Sequence, residues 1–189
     1  MPAELTGGIG VEGAAALKRY VENGGWVLAW DRASDFAIAT FGLPLRNNVR
    51  NLREEDFFIP GSLVNLDTTT SRLAAGMPAH ATAFFVDSQA FTVIPGASEG
   101  KQRVERDVEV FATYASKDFL ASGWDLGGRR YAAGRPAGVR VPVGKGQVVV
   151  LAFRPHFRGQ PHNTFKLLFN PLFLSTIEGS MPATTAGQH

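Results

Sequence analysis

The chain contains no cysteine among its 189 residues. That absence excludes disulfides, thiolate metal sites and a cysteine nucleophile, and leaves the redox compartment open. Histidine is scarce: His80, His156, His162 and His189 are all there are. None stands in an H-x-x-E or H-E-x-x-H pattern. A zinc site needs three or four convergent ligands, so no metal or other cofactor is expected in this chain. Excess charge is also small, a net +2. The isoelectric point of about 9.2 reflects a slight Lys/Arg surplus. No basic run of the kind that tracks phosphates accompanies it, so nucleic acid is not an expected partner. No apolar run approaches the roughly 18 residues of a membrane span. Met1-Pro-Ala-Glu4 lacks the basic-plus-apolar opening of a secretion signal. If the protein is exported, its signal lies on a longer chain.

What is present is the composition of a globular domain, 44% hydrophobic and 19% charged. The length suits one domain with a substantial core. We expect that domain over residues 1–178 and a frayed tail over 179–189, which lacks core residues. Gly10 to Asn23 has apolar residues at helical spacing and stops at Gly24-Gly25. Trp26-Val-Leu-Ala-Trp30 is a wholly apolar strand suited to burial on both faces. Asp31 to Phe41 reads as a second helix. This order predicts an α/β fold with a mostly parallel sheet flanked by helices.

The middle of the chain alternates like strands at Gly61–Leu66, Ala83–Val86, Phe91–Ile94 and Val108–Ala115, with a helical turn near Ser71–Gly76. Asn47–Asp56 and Gly96–Arg106 read as loops. Val139 to Phe153 reads as a hairpin around Gly144-Lys-Gly146, an antiparallel extension of the sheet. Asn163 to Ser175 predicts the last helix, with Phe165, Leu168, Phe169 and Leu172 on one face. Met1–Thr6 supplies little apolar surface for a strand ahead of the first helix, so one or more N-terminal strands are expected to be missing.

The densest polar stretch is Arg154 to Asn170, which directly follows the apolar run Gln147–Phe153. Ligands bind at the carboxyl ends of strands in open α/β sheets. Arg154, Arg158 and Gln160 suit an anion or carboxylate, since arginine's planar fork recognises carboxylates. The more ordinary role is to tie this turn to the loop carrying Glu54, Glu55 and Asp56. His156, just past the strand end, is the strongest histidine candidate. Asp31 and Arg32 close the first strand at a strand-to-helix turn, the setting of a nucleophile elbow. An Asp there cannot perform thiolate acyl transfer. Ser34, one turn on, reads as a capping or surface residue. Trp124 roofs a pocket or covers the core edge, the second being commoner.

Gly8-Ile-Gly-Val-Glu-Gly13 matches the dinucleotide-binding G-x-G-x-x-G pattern, with Asp31 near the ribose-binding position. The motif requires a preceding strand, which is not visible. Two alternatives to a non-catalytic role therefore stay open: a stand-alone hydrolase using Asp31 and His156 as an acid/base pair, and a nucleotide-binding module through Gly8–Gly13.

Several landmarks recur in a recognisable order: Gly7–Gly13, Tyr20-Val21 before Gly24-Gly25, Arg32-Ala-Ser-Asp35, Pro60-Gly-Ser62, Gly76-Met-Pro78, Ser122-Gly-Trp124, Gly144-Lys-Gly146, Arg158-Gly-Gln160 and Thr164–Asn170. Over residues 5 to 175 this set resembles the C-terminal class I glutamine amidotransferase-like domain of bacterial M14-family zinc carboxypeptidases. The resemblance implies a flavodoxin-like, amidotransferase-like fold. It implies an upstream peptidase domain as partner, which would carry the zinc, and an extracytoplasmic parent protein. It also implies a cysteine at the elbow, where this chain has Asp31. The expected role is a non-catalytic accessory module that holds a small anionic or peptide ligand near Asp31, Arg32, Arg154, His156, Arg158 and Gln160.

Overall fold

The computed structural model describes residues 7–94 and 107–178. The expected loop over Gly96–Arg106, the 179–189 tail, His189 and the segment before Gly7 lie outside the described residues. Within the described residues, four α-helices and nine strands follow in the order α1 (Gly10–Glu22), β1 (Trp26–Trp30), α2 (Ala33–Phe41), β2 (Leu45–Asn47), β3 (Ser62–Thr68), β4 (His80–Phe85), β5 (Phe91–Val93), β6 (Glu109–Tyr114), β7 (Leu120–Ser122), α3 (Gly128–Tyr131), β8 (Pro136–Val143), β9 (Gly146–Leu151) and α4 (Phe165–Glu178). Short 3-10 turns stand at Arg72–Ala74, Phe157–Gly159 and His162–Thr164.

The main sheet runs β1-β9-β8-β6-β3-β4, with β7 also on β3; β2 and β5 form a separate ribbon. The chain has the expected α/β fold with flanking helices, but its sheet is mixed where a mostly parallel one was expected. Parallel pairing occurs between β1 and β9, register Trp26↔Gln147 to Trp30↔Leu151. The antiparallel extension supplies the other ladders of the main sheet. The hairpin turns at Gly144-Lys145, where Gly144 adopts φ 58°. Its partner Gly146 is forced for a different reason: a Cβ there would stand 2.1 Å from the Gly25 carbonyl oxygen. The hairpin end is thereby pressed onto the last turn of α1, and Lys145 N–H donates to Glu22 O at 3.0 Å.

The core lies between sheet and helices. Val148, Val149, Val150 and Leu151 are fully buried, as an uninterrupted apolar run in a central strand should be. Phe85, Tyr114 and Phe119 pack ring against ring, with centroids 5.6–6.3 Å apart. Each such side chain contributes roughly 1.5–3 kcal/mol by burial.

The last helix buries a different stripe from the one formed by Phe165, Leu168, Phe169 and Leu172. Its buried side chains are Leu167, Pro171 and Leu174, whereas Phe169 and Leu172 are exposed. The segment Phe-Lys-Leu-Leu-Phe-Asn-Pro-Leu-Phe-Leu is apolar nearly all round, so periodicity does not single out one face. Asn170 decides the orientation: its Nδ2 donates to Leu73 O at 3.1 Å and Ala75 O at 3.0 Å.

Candidate functional site

Parallel neighbours place their carboxyl ends side by side. Asp31 follows β1 and Arg154 lies three residues beyond β9, so two residues 123 apart in sequence meet. Arg154 Nε donates to Asp31 Oδ2 at 2.6 Å, with Asp31 7% and Arg154 36% exposed in their side chains. The Asp31 amide is fixed by the neighbouring strand, donating to Leu151 O at 2.9 Å. Asp31 has φ 52°, a left-handed conformation that Asp tolerates better than most residues. The sharp strand-to-helix turn expected here is therefore real, and a buried carboxylate occupies it. Its second oxygen, Oδ1, is buried without a hydrogen-bond partner among the described residues.

Around this pair the structure adds residues that the sequence did not single out. Tyr114 is wholly buried and donates its hydroxyl to Gln89 O at 3.0 Å. Burial, reinforced by the negative charge of Asp31, pushes the Tyr114 phenol well above its ordinary range. Gln89 N–H donates to Ala152 O at 2.7 Å, and its Nε2 donates to Asp35 Oδ2 at 3.1 Å. Asn47 Nδ2 reaches Asp35 Oδ1 at 3.3 Å. Ser88-Gln89 stands just past the apolar end of β4, the one sequence signal that would have drawn attention to it. Nothing in the spacing links it to Asp35.

Other candidates are placed as follows. His156 is exposed and meets Trp30 edge-on, ring centroids 5.6 Å apart. Arg154 and Arg158 both bring their guanidinium groups to Phe157, at 5.5 and 5.8 Å from the ring centroid. Arg158 and Gln160 are exposed. Arg154 does not tie the turn to the 54–56 acids; Arg53 pairs with Glu55 and Asp56 instead. Those acids are close in sequence to their own arginine, whereas Asp31 is delivered to Arg154 by the sheet. Ser34 is a buried bridge rather than a cap or surface residue, its Oγ donating to Leu151 O at 2.9 Å. Trp124 stands on the surface, 64% exposed, held by its backbone to Ser62 Oγ. Gly8 and Gly10 are open to solvent at the start of α1. The acid assigned to a ribose, Asp31, is buried and paired. Among the described residues no group of three or more His, Asp or Glu could hold a metal ion.

A cleft of about 520 Å³ opens between the start of α2, the 47–59 loop and the turn after β4; Arg32 lines it, whereas Asp31 and Arg154 do not. Arg32 and Arg50 line it together with Glu54, Asp87 and Gln89, and Phe57 contributes an apolar wall. Arg32 is thus the sequence candidate that faces the cleft. Both signs of charge stand across a partly apolar hollow, an arrangement that fits a small polar molecule bearing both signs itself.

No family model matches the chain, and no curated protein matches it. Solved structures do share its fold. A GMP synthase subunit from Thermoplasma acidophilum superposes with a TM-score of 0.52 at 9% identity, over 88% of this chain and 66% of that one. A ThuA-like protein from Bacteroides uniformis gives 0.50 at 17% identity, over 90% of this chain and 66% of its own. A β-galactosidase from Bacillus circulans gives 0.51 at 14% identity, over 88% of this chain and only 21% of the enzyme. The chain therefore spans just under two thirds of the first two structures and about a fifth of the third. At these identities the likeness is one of fold, and that fold is the α/β, amidotransferase-like one.

Proposed function

We propose that this chain is a non-catalytic, amidotransferase-like accessory module of a larger M14 metallocarboxypeptidase-like protein, and that it holds a peptide end in the cleft lined by Arg32. The observation that carries this reading is the elbow itself. Its position is filled by a carboxylate 7% exposed and locked to Arg154 at 2.6 Å, in place of a thiol or hydroxyl nucleophile. The acid/base pairing of Asp31 with His156 is also unsupported by the geometry, since Asp31 is paired with Arg154 and His156 lies on the surface against Trp30. Chemistry is thus replaced by a rigid turn whose next residue, Arg32, faces the cleft. The β-galactosidase likeness supports the modular part, since there the same fold takes up a fifth of a much longer enzyme.

In the cleft, the ligand's carboxylate faces Arg32 and Arg50 and its ammonium faces Glu54 or Asp87. Phe57 covers the apolar part. Titration calorimetry with short peptides tests this. A free zwitterionic dipeptide should bind, its C-terminal amide should bind about tenfold more weakly for the loss of one charge-assisted contact, and R32Q should abolish that difference. Equal binding of acid and amide would sink the assignment. The modular part is tested separately by the reading frame of the parent gene: absence of an upstream H-x-x-E peptidase domain defeats it.

A further inference from the structure

The edge of the main sheet at β1 contradicts the chemistry of its own residues. Edge strands are ordinarily blunted by charge, proline, bulges or a covering loop. β1 is Trp-Val-Leu-Ala-Trp, with none of these among the described residues, and four of its five residues are only half-buried. Asp31 N–H and Gly25 C=O both point to β9. Groups alternate along a strand, so Trp26, Leu28 and Trp30 turn their N–H and C=O groups outward. No strand among the described residues pairs with them.

The helix α4 beside this edge is uncovered in the same sense: it leaves Phe169, Leu172, Phe173 and Ile177 exposed, Phe173 at 66%. Trp26, Leu28, Val149, Pro171 and Leu172 line a narrow slot between β1 and α4. An unpaired ladder flanked by apolar helix surface is complementary to a β-strand and to nothing helical. The ladder needs donors and acceptors at strand spacing, and the flanks need apolar side chains on them.

We propose that the β1 edge is a docking surface for one apolar, extended strand that adds to the sheet parallel to β1. This rests on the module reading above, since the strand would come from another segment of the parent protein. The parallel direction follows from β1 itself. An unbroken apolar run is the mark of a strand with parallel neighbours on both sides, and its neighbour β9 is parallel. A second copy of this chain would instead pair β1 antiparallel across a two-fold axis.

The test is amide hydrogen exchange on the 189-residue chain, with a synthetic peptide of the core Val-Ile-Val-Val-Ile flanked by lysines. Alone, the chain should be monomeric by light scattering, with the Trp26, Leu28 and Trp30 amides exchanging much faster than those of Val27 and Ala29. The peptide should slow those three amides in proportion to 1 + [L]/Kd, and a peptide with a central proline should not. A spin label on the peptide's N-terminal end should broaden Trp26 rather than Trp30. Phe173→Glu, at an exposed position, should weaken the peptide without moving the melting temperature. Protection of the three amides that rises with chain concentration alone would overturn the proposal in favour of a second copy. Absence of protection at millimolar peptide, or broadening at Trp30, would overturn it outright. None of these readouts involves the cleft, and an absent upstream peptidase domain would leave them unchanged, so the two readings fail separately.

Discussion

Replacing Arg154 by Met should expose how the Asp31 turn is held. Met keeps the length and apolar bulk that lie on Phe157 but removes the charge, leaving a carboxylate 7% exposed with no cation beside it. Breaking a fully buried pair by deleting one partner costs about 3–5 kcal/mol. Arg154 is 36% exposed, so water replaces part of what it supplied. About 2 kcal/mol is the expected loss after that discount. Asp31→Asn perturbs the same bond from the other side and should cost less than about 1 kcal/mol. Asn is at home at a left-handed φ, its side-chain oxygen still accepts from Arg154, and the freed guanidinium keeps both its ring contact and access to water.

The asymmetry is the test. Urea unfolding of wild type, both single variants and the double variant closes a thermodynamic cycle. The double variant should be about as stable as Asp31→Asn alone, because removing the buried charge removes the reason Arg154 is needed. A cost below about 0.5 kcal/mol for Arg154→Met would refute the view that the pair is what makes a buried Asp tolerable here. Equal costs for both single variants would refute the asymmetry.

Three further expectations test other parts of the structure. Tyr114 holds its proton in the folded state beyond the pH at which the unfolded chain releases it. Stability is therefore fully present below about pH 10 and falls above it by up to about 1.4 kcal/mol per pH unit; alkaline urea titrations should show this slope, and Tyr114→Phe should lose that share of it. Gly146→Ala drives a Cβ into the carbonyl oxygens of Gly25 and Val21, 2.1 and 2.3 Å away. Backbone atoms give little, so a loss of at least about 1–3 kcal/mol is expected in chemical denaturation. Asp31→Cys puts a thiol beside Arg154, which should lower its pKa below about 8.5; the pH profile of its alkylation should move back up when Arg154→Met is added.

The fold was legible where local pattern and tertiary burial agree. Trp26–Trp30 and Gln147–Phe153 are apolar runs that become adjacent strands, and Gly24-Gly25 and Gly144-Lys-Gly146 punctuate them as turns. It was illegible in α4, where Phe165, Leu168, Phe169 and Leu172 formed as good an apolar stripe as the one that is buried. There the deciding contact is Asn170 on the carbonyls of Leu73 and Ala75, almost a hundred residues away. Ser34 misled for the same reason. Its hydroxyl answers a carbonyl at the end of β9, which no window around Ser34 contains.

The site shows this limit more sharply. Asp31 and Arg154 were each visible as polar residues at the end of an apolar strand, but their pairing depends on β1 and β9 being parallel neighbours. The strand ends then coincide, and a carboxylate and a guanidinium at those ends meet as a consequence of topology. Gln89 and Tyr114 enter the same cluster through β4 and β6, whose directions the local pattern does not encode. Their roles follow from burial: Tyr114 must give its hydroxyl to something once it is fully enclosed, and the carbonyl of Gln89 is what the turn after β4 places there. Sequence spacing thus finds strand ends, while the sheet decides which of those ends share a site. A chain with these strand ends but β1 and β9 separated by another strand would keep every motif and lose the Asp31–Arg154 pair.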